Sequence, residues 1–129
     1  MAVYACNAGF TELAKLGAGE TASAWTHIAL GTGTGQNASD TALDTETSAS
    51  GLARAAATMS TVTTTVTDDT IQAYKVFTAG ATATITEAGV FNASSSGDML
   101  MVGDLSPSAA MVSGDTLTLT MKCKIQAAS

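Results

Sequence analysis

Few residues in this chain could do chemistry. His27 is the single histidine among 129 residues, and two cysteines, Cys6 and Cys123, lie near opposite ends. A thiolate beside an imidazole can act as a nucleophile. However, Cys123 falls on the apolar side of an alternating run, where a small buried hydrophobe is the ordinary role, and a lone histidine leaves no partner for a His-rich metal site. His27, two residues from Trp25, reads as a half-exposed packing residue. The cysteines can be bridged only if the terminal segments are neighbours in space; in a cytosolic product such a pair more often stays as two thiols.

The carboxylates are more numerous. Asp40, Asp44 and Glu46 fall close together in a polar stretch, and Asp68-Asp69 adds two more at a turn. Hard oxygen ligands of this kind suit calcium, but the spacing is not that of an EF-hand loop, and acidic turn residues are commonly solvated or cap the next element. The glycines of Gly31-Thr32-Gly33-Thr34-Gly35 invite a phosphate reading that lacks its lysine and its following helix. No catalytic residue, metal or cofactor is therefore expected. One structural pair stands out: Arg54 and Lys15 are the basic residues of the first half, so Arg54 is the natural partner of an inward carboxylate, Glu87 or Glu46. Arg54, Glu87, Glu46, Asp40 and Asp44 are the candidate structural and interaction residues.

Strands must position them. Thr82-Ala83-Thr84-Ile85-Thr86 alternates with period two, and the polar Ser94-Ser95-Ser96-Gly97-Asp98 separates Val90-Phe91 from Met99-Leu100-Met101-Val102, a hairpin pattern. Apolar parity slips between Ile85 and Val90, with Gly89 in the gap, which predicts a β-bulge that re-aims Glu87. Upstream, Phe10, Leu13, Ala14 and Leu16 predict a short helix over 8–16 that lays this stripe on a sheet. Residues 25–30 form the next strand, with Ile28 and Leu30 on one face and His27 on the other. The threonine run 61–67 predicts a strand with Val62, Thr64 and Val66 on one face. Asp68-Asp69 turns it and 71–77 returns. Ser106-Pro107-Ser108 breaks pairing, Ser113-Gly114-Asp115 turns, and Leu117, Leu119, Met121, Cys123 and Ile125 alternate against polar residues as an interior strand with one dry face. Six to eight strands and one helix predict an all-β fold, an antiparallel β-sandwich or jelly-roll-like domain. A single domain over 1–129 is expected, with an N-terminal arm or short helix in 1–24 and an extended acidic loop at 31–51.

Composition narrows the function classes. Charged residues are 12% of the chain and aromatics 5%, with a net charge of −6, so the core is built from small and β-branched side chains, and such a surface suits a subunit packed in an assembly. Five scattered basic residues leave no stripe for phosphates, so direct nucleic-acid binding is not expected. With no basic residue before Lys15 and no apolar run of spanning length, neither a secretory signal nor a membrane anchor is expected, and synthesis in the cytoplasm follows.

Two segments together carry a resemblance. HIALGTGTG followed by SDTALDTETS, the arginine at Arg54, then ITEAGVFNASSSGDMLMVGDLSP and GDTLTLTMKCKI resemble a widespread group of small tailed-phage virion proteins, tail-fibre-like or head-decorating, over about 27–125. The resemblance implies a non-enzymatic β-rich building block present in many copies in the virion. Two functions follow as expectations. The first is a capsid decoration or cement protein that bridges major capsid protein subunits; the alternative is a tail-fibre or receptor-engaging module. A glycan hydrolase lacks an acid/base pair. The stretch 31–51 has too little apolar surface to hold one conformation alone, so homo-oligomer contacts, trimers first, or contacts with other virion proteins, are expected to order it.

Overall fold

The computed structural model of the protein describes residues 2–126. Along these the elements are β1 (Ala2–Ala5), α1 (Asn7–Gly17), β2 (His27–Gly31), β3 (Ala55–Ala56), β4 (Thr58–Val62), β5 (Thr70–Thr78), β6 (Ala83–Phe91), β7 (Met99–Met111) and β8 (Thr116–Lys124). All strand pairs are antiparallel. They form a five-stranded sheet in the order β1-β7-β6-β2-β3 and a three-stranded sheet in the order β4-β5-β8, the all-β sandwich with one short helix that the alternating pattern predicts.

The main core lies between the sheets. Ile28, Leu30, Ile85 and Val90 from the larger sheet meet Ala73, Phe77, Leu119 and Met121 from the smaller. A second cluster, Cys6, Ala29, Leu43, Phe91, Met99 and Val102, sits on the far side of the larger sheet. Neighbouring residues of a strand point to opposite faces, so Ala29 and its neighbours Ile28 and Leu30 serve different cores. The larger sheet is thus buried on both faces and the smaller on one.

The central hairpin pairs as expected, with register shifts between Ile85 and Glu87 and between Val90 and Phe91. The first falls where parity slips, but the extra length belongs to the partner strand. Ile85 faces Ala109 and Glu87 faces Asp104, so Thr86 alone opposes residues 105–108, where Ser106-Pro107-Ser108 bulges within the continuous strand β7. Beyond this discontinuity Ala88 and Val90 turn to the main core, while Phe91 joins the second.

Several expectations need correction. The threonine run does not stay extended: β4 ends at Val62, and Val66 is 66% exposed. Asp69 outcompetes β propensity there, its carboxylate accepting the N–H groups of Thr64, Thr65 and Val66 at 2.9–3.0 Å and closing a tight turn. Trp25 is buried with Ile28 and Leu30 rather than standing on the His27 face, because the strand begins only at His27. β8 is an edge strand rather than an interior one, since it pairs only with β5. Its inward face is as expected for Leu119 and Met121, at 4% and 0% exposure, but Ile125 lies past the last ladder pair and is half exposed.

The helix also docks in a different phase. Leu13 and Leu16 pack on the core, but Phe10 is 53% exposed, and Gly9 and Glu12 are the buried positions. The cause is proximity: a Cβ on Gly9 would lie 2.8 Å from the Leu100 Cα and carbonyl oxygen in β7. Only glycine lets helix and strand backbones approach so closely.

This contact gives a paired test. Gly9→Ala should destabilise the protein by about 1–3 kcal/mol in chemical denaturation, as overpacking against backbone does. At Gly17, by contrast, an added Cβ meets nothing within 4 Å, so Gly17→Ala should be neutral or stabilise by up to about 1 kcal/mol.

Candidate functional site

The second apolar face of the larger sheet needs a cover, and residues 31–51 supply it. The Thr47 N–H donates to the Leu30 carbonyl at 2.8 Å and the Thr32 N–H to the Thr45 carbonyl at 2.9 Å, while Gly31 forms a bridge with Glu46. These bonds lay Leu43 into the cluster of Ala29, Phe91, Met99 and Val102. The expectation that this stretch lacks the apolar surface to hold itself is therefore corrected: one leucine and a strip of backbone bonds fold it back as a lid. Asp44, Thr45 and Glu46 remain on its exposed side.

Arg54 fastens the lid. Its Nε donates to Glu46 Oε2 at 3.1 Å and its Nη2 to Glu46 Oε1 at 2.6 Å, the two-pronged geometry that suits guanidinium and carboxylate. Nη1 donates to the carbonyls of Ala93 at 3.1 Å and Ser96 at 2.8 Å, in the β6–β7 turn. The guanidinium carbon stands 3.8 Å from the Phe91 ring centre, within cation–π range. The Arg54 side chain is 7% exposed against 35% for Glu46, so the cation is nearly enclosed while its partner keeps contact with solvent. Of the two candidate partners, the structure selects Glu46. The Glu87–Arg54 alternative is not formed, because β6 turns Glu87 toward Gly31 and the lid, away from the guanidinium.

Glu87 plays a different part. It is fully buried, directly across from Gly31 on β2 and Asp104 on β7. A Cβ on Gly31 would lie 2.7 Å from Glu87 Cγ and 2.6 Å from the Thr45 carbonyl oxygen, and one on Gly33 would strike both Glu87 Oε2 and Asp44. The alternating glycines of Gly31-Thr32-Gly33 therefore make room for a glutamate reaching under the lid. Thr86 Oγ1 donates to the Gly33 carbonyl at 2.7 Å, and the Gln36 amide donates to the same carbonyl at 3.2 Å and to Glu87 Oε2 at 3.3 Å. Glu87 Oε1 has no hydrogen-bond partner among the described residues. Burial pushes the Glu87 carboxyl above its ordinary range. The backbone N–H groups of Thr45 and Asp44 and the Gln36 amide pull it back, while the Asp44 charge adds to the rise.

The remaining candidates have local roles. Asp40 Oδ2 accepts the Asn37 N–H at 2.9 Å, closing a turn inside the lid. Asp44 lies beside Gly33 and Glu87. Asp40, Asp44 and Glu46 do not converge, and among the described residues no three His, Cys, Asp or Glu side chains gather to hold a metal. Thr26 Oγ1 and His27 Nδ1 are 2.6 Å apart. Cys6 and Cys123 are free thiols; burial, with smaller effects from Asp40 and Cys123, pushes the Cys6 thiol up to about 11, so it carries no thiolate at neutral pH. No helix among the described residues is long and apolar enough to cross a membrane. Sequence reasoning missed Gln36, the Phe91 stacking surface and the three-way cap at Asp69. The paired Gly31 and Gly33 were the one available signal that a side chain enters from the neighbouring strand.

Two tests follow. Arg54→Ala should cost about 2–4 kcal/mol in chemical denaturation, since it strands a carboxylate and two carbonyls together. Arg54→Lys should recover little, because an ammonium cannot make the fork. For Glu87 the folded state holds its proton more tightly than the unfolded chain. Its contribution to stability therefore falls as pH rises from its ordinary value of 4.5 through the raised folded-state value, and is flat above that. Glu87→Gln should remove this component and raise stability at pH 8 relative to the parent; melting temperatures of both proteins from pH 4 to 8 check the difference.

Comparison with known proteins places this arrangement in a family. No curated protein and no solved structure matches the chain. The family model described as Podophage GP4 fiber I protein gp80 matches residues 10–124, a span that runs from α1 to the end of β8 and includes Glu46, Arg54 and Glu87. The chain belongs to this family of tail-fibre-like structural proteins of phage virions.

Proposed function

We propose that the protein is a non-enzymatic structural subunit of a phage fibre, present in many copies in the virion and assembled through contacts with its own copies, in a trimer, and with other virion proteins. The family match over 10–124 carries this reading, and it favours the fibre over a capsid decoration or cement role. The site supports it physically. The groups with the strongest chemistry, Arg54, Glu46 and Glu87, are spent on holding the lid to the sheet, and the Cys6 thiol is kept protonated. What is left exposed is a rigid sandwich with a hydroxyl-rich surface, suited to lateral packing.

Its place in purified particles tests the proposal. Gold-labelled antibody against this chain should decorate fibres at the tail and should reduce adsorption to host cells. Label spread over the head lattice, with adsorption unchanged, would replace the fibre reading by capsid cement.

A further inference from the structure

We propose that the outer face of the β4-β5-β8 sheet is the docking surface for a second copy of this chain, which seats the acidic side of its lid there. The inference rests on the reading of the chain as a multi-copy fibre subunit and adds which surfaces meet.

The two sheets differ in what covers them. The larger sheet is closed on both faces, by the smaller sheet and by the lid. The smaller sheet is closed on its inner face alone, and its outer face is laid out by the ladder. Tyr74 stands between Thr58 and Thr120, Val76 beside Thr118, and Gln72 beside Lys122. At its centre Tyr74 and Val76 are 40% and 41% exposed, an aromatic and a branched side chain set in a field of threonines. Exposed aromatic side chains such as Tyr74 are enriched at protein interfaces.

Charge decides the occupant. The chain has eleven Asp and Glu against five Lys and Arg, yet β4, β5 and β8 contain no acidic residue, and Lys122 and Lys124 share the outer parity of Thr118 and Thr120. On the opposite side of the sandwich the lid presents Asp40 and Asp44, neither of them in an ion pair among the described residues. A face whose strands carry lysines and no acid, with Asp69 only at its end beside Lys124, and an acidic face on the opposite side of the molecule complement each other in a second copy. Face-to-face packing of two smaller sheets would instead set Lys122 and Lys124 against themselves. The contact is therefore heterologous, running head to tail. Because the two faces lie on opposite sides, the contact stacks copies into an open filament. Two strands of nine residues beside one of five give a face about 30 Å long and at most about 14 Å wide. That is at the small end for a specific interface, so each contact is weak and gains strength by repetition.

Sedimentation of the full chain provides the test, using two variants that each delete one surface. Val76→Asp/Lys122→Glu spoils the sheet face and Asp40→Asn/Asp44→Asn spoils the lid face. All four positions lie outside the buried core, and melting temperatures within a few degrees of the parent confirm folding. Should the first variant fold poorly, Thr120→Glu, on the same outer face, replaces it. The parent should associate with rising concentration and each variant alone should sediment as a monomer. An equimolar mixture should form dimers that grow no further, because one good sheet face meets one good lid face. A parent that stays monomeric at about 0.5 mM, a lid variant that self-associates like the parent, or a mixture that stays monomeric would each overturn the proposal. Detection of the chain in fibres without self-association would remove this interface alone. Self-association of a chain absent from fibres would remove the fibre reading alone.

Discussion

A sheet buried on both faces needs two covers, and that constraint organises this fold. The strands β2, β6 and β7 carry apolar side chains on alternate positions of both faces, so the smaller sheet can satisfy only half of them. The rest would face water as a contiguous patch if residues 31–51 left the surface. Every unusual feature of the sequence near the site serves that second cover: glycines where the lid meets β2, a glutamate beneath it, and an arginine locking it to the β6–β7 turn.

The division of labour between the two charged anchors follows from their surroundings. Arg54 is enclosed by an aromatic ring, two carbonyls and a half-exposed carboxylate. Its charge is therefore matched on every side, which offsets the cost of leaving water. Glu87 has no cation, only an amide and backbone N–H groups, and its environment disfavours the charged form. The same lid is thus held at one end by a fully paired charge and at the other by a carboxyl group whose ionisation works against folding.

Local alternation was the most legible part of the sequence. The inward face of β8 around Leu119 and Met121, and the hairpin with its slip after Ile85, could be read because period two leaves one face choice once a core exists. What could not be read was set by non-local contacts. That β8 lies at an edge depends on which strand pairs with β5. The helix phase depends on how closely Gly9 approaches Leu100, and the choice of Glu46 over Glu87 depends on where the lid returns. The threonine run failed for a local reason, since three backbone bonds to the Asp69 carboxylate outweigh β propensity over a few residues. The candidate site was legible as a set of residues with two possible partners for Arg54, of which the fold forms the Glu46 pair.

The notch formed by Gly31 and Gly33 has a consequence for how the protein fails. A side chain at Gly33 would collide with Glu87 and Asp44, so the damage would fall first on the lid while the main core between the sheets stays intact. The molecule would open locally, below its global unfolding threshold. It would then bare Ala29, Phe91, Met99 and Val102 on a surface with few charges to keep copies apart. Lesions here would register as aggregation and protease nicking within 31–51, in chains that still give the circular dichroism of a folded β-sandwich.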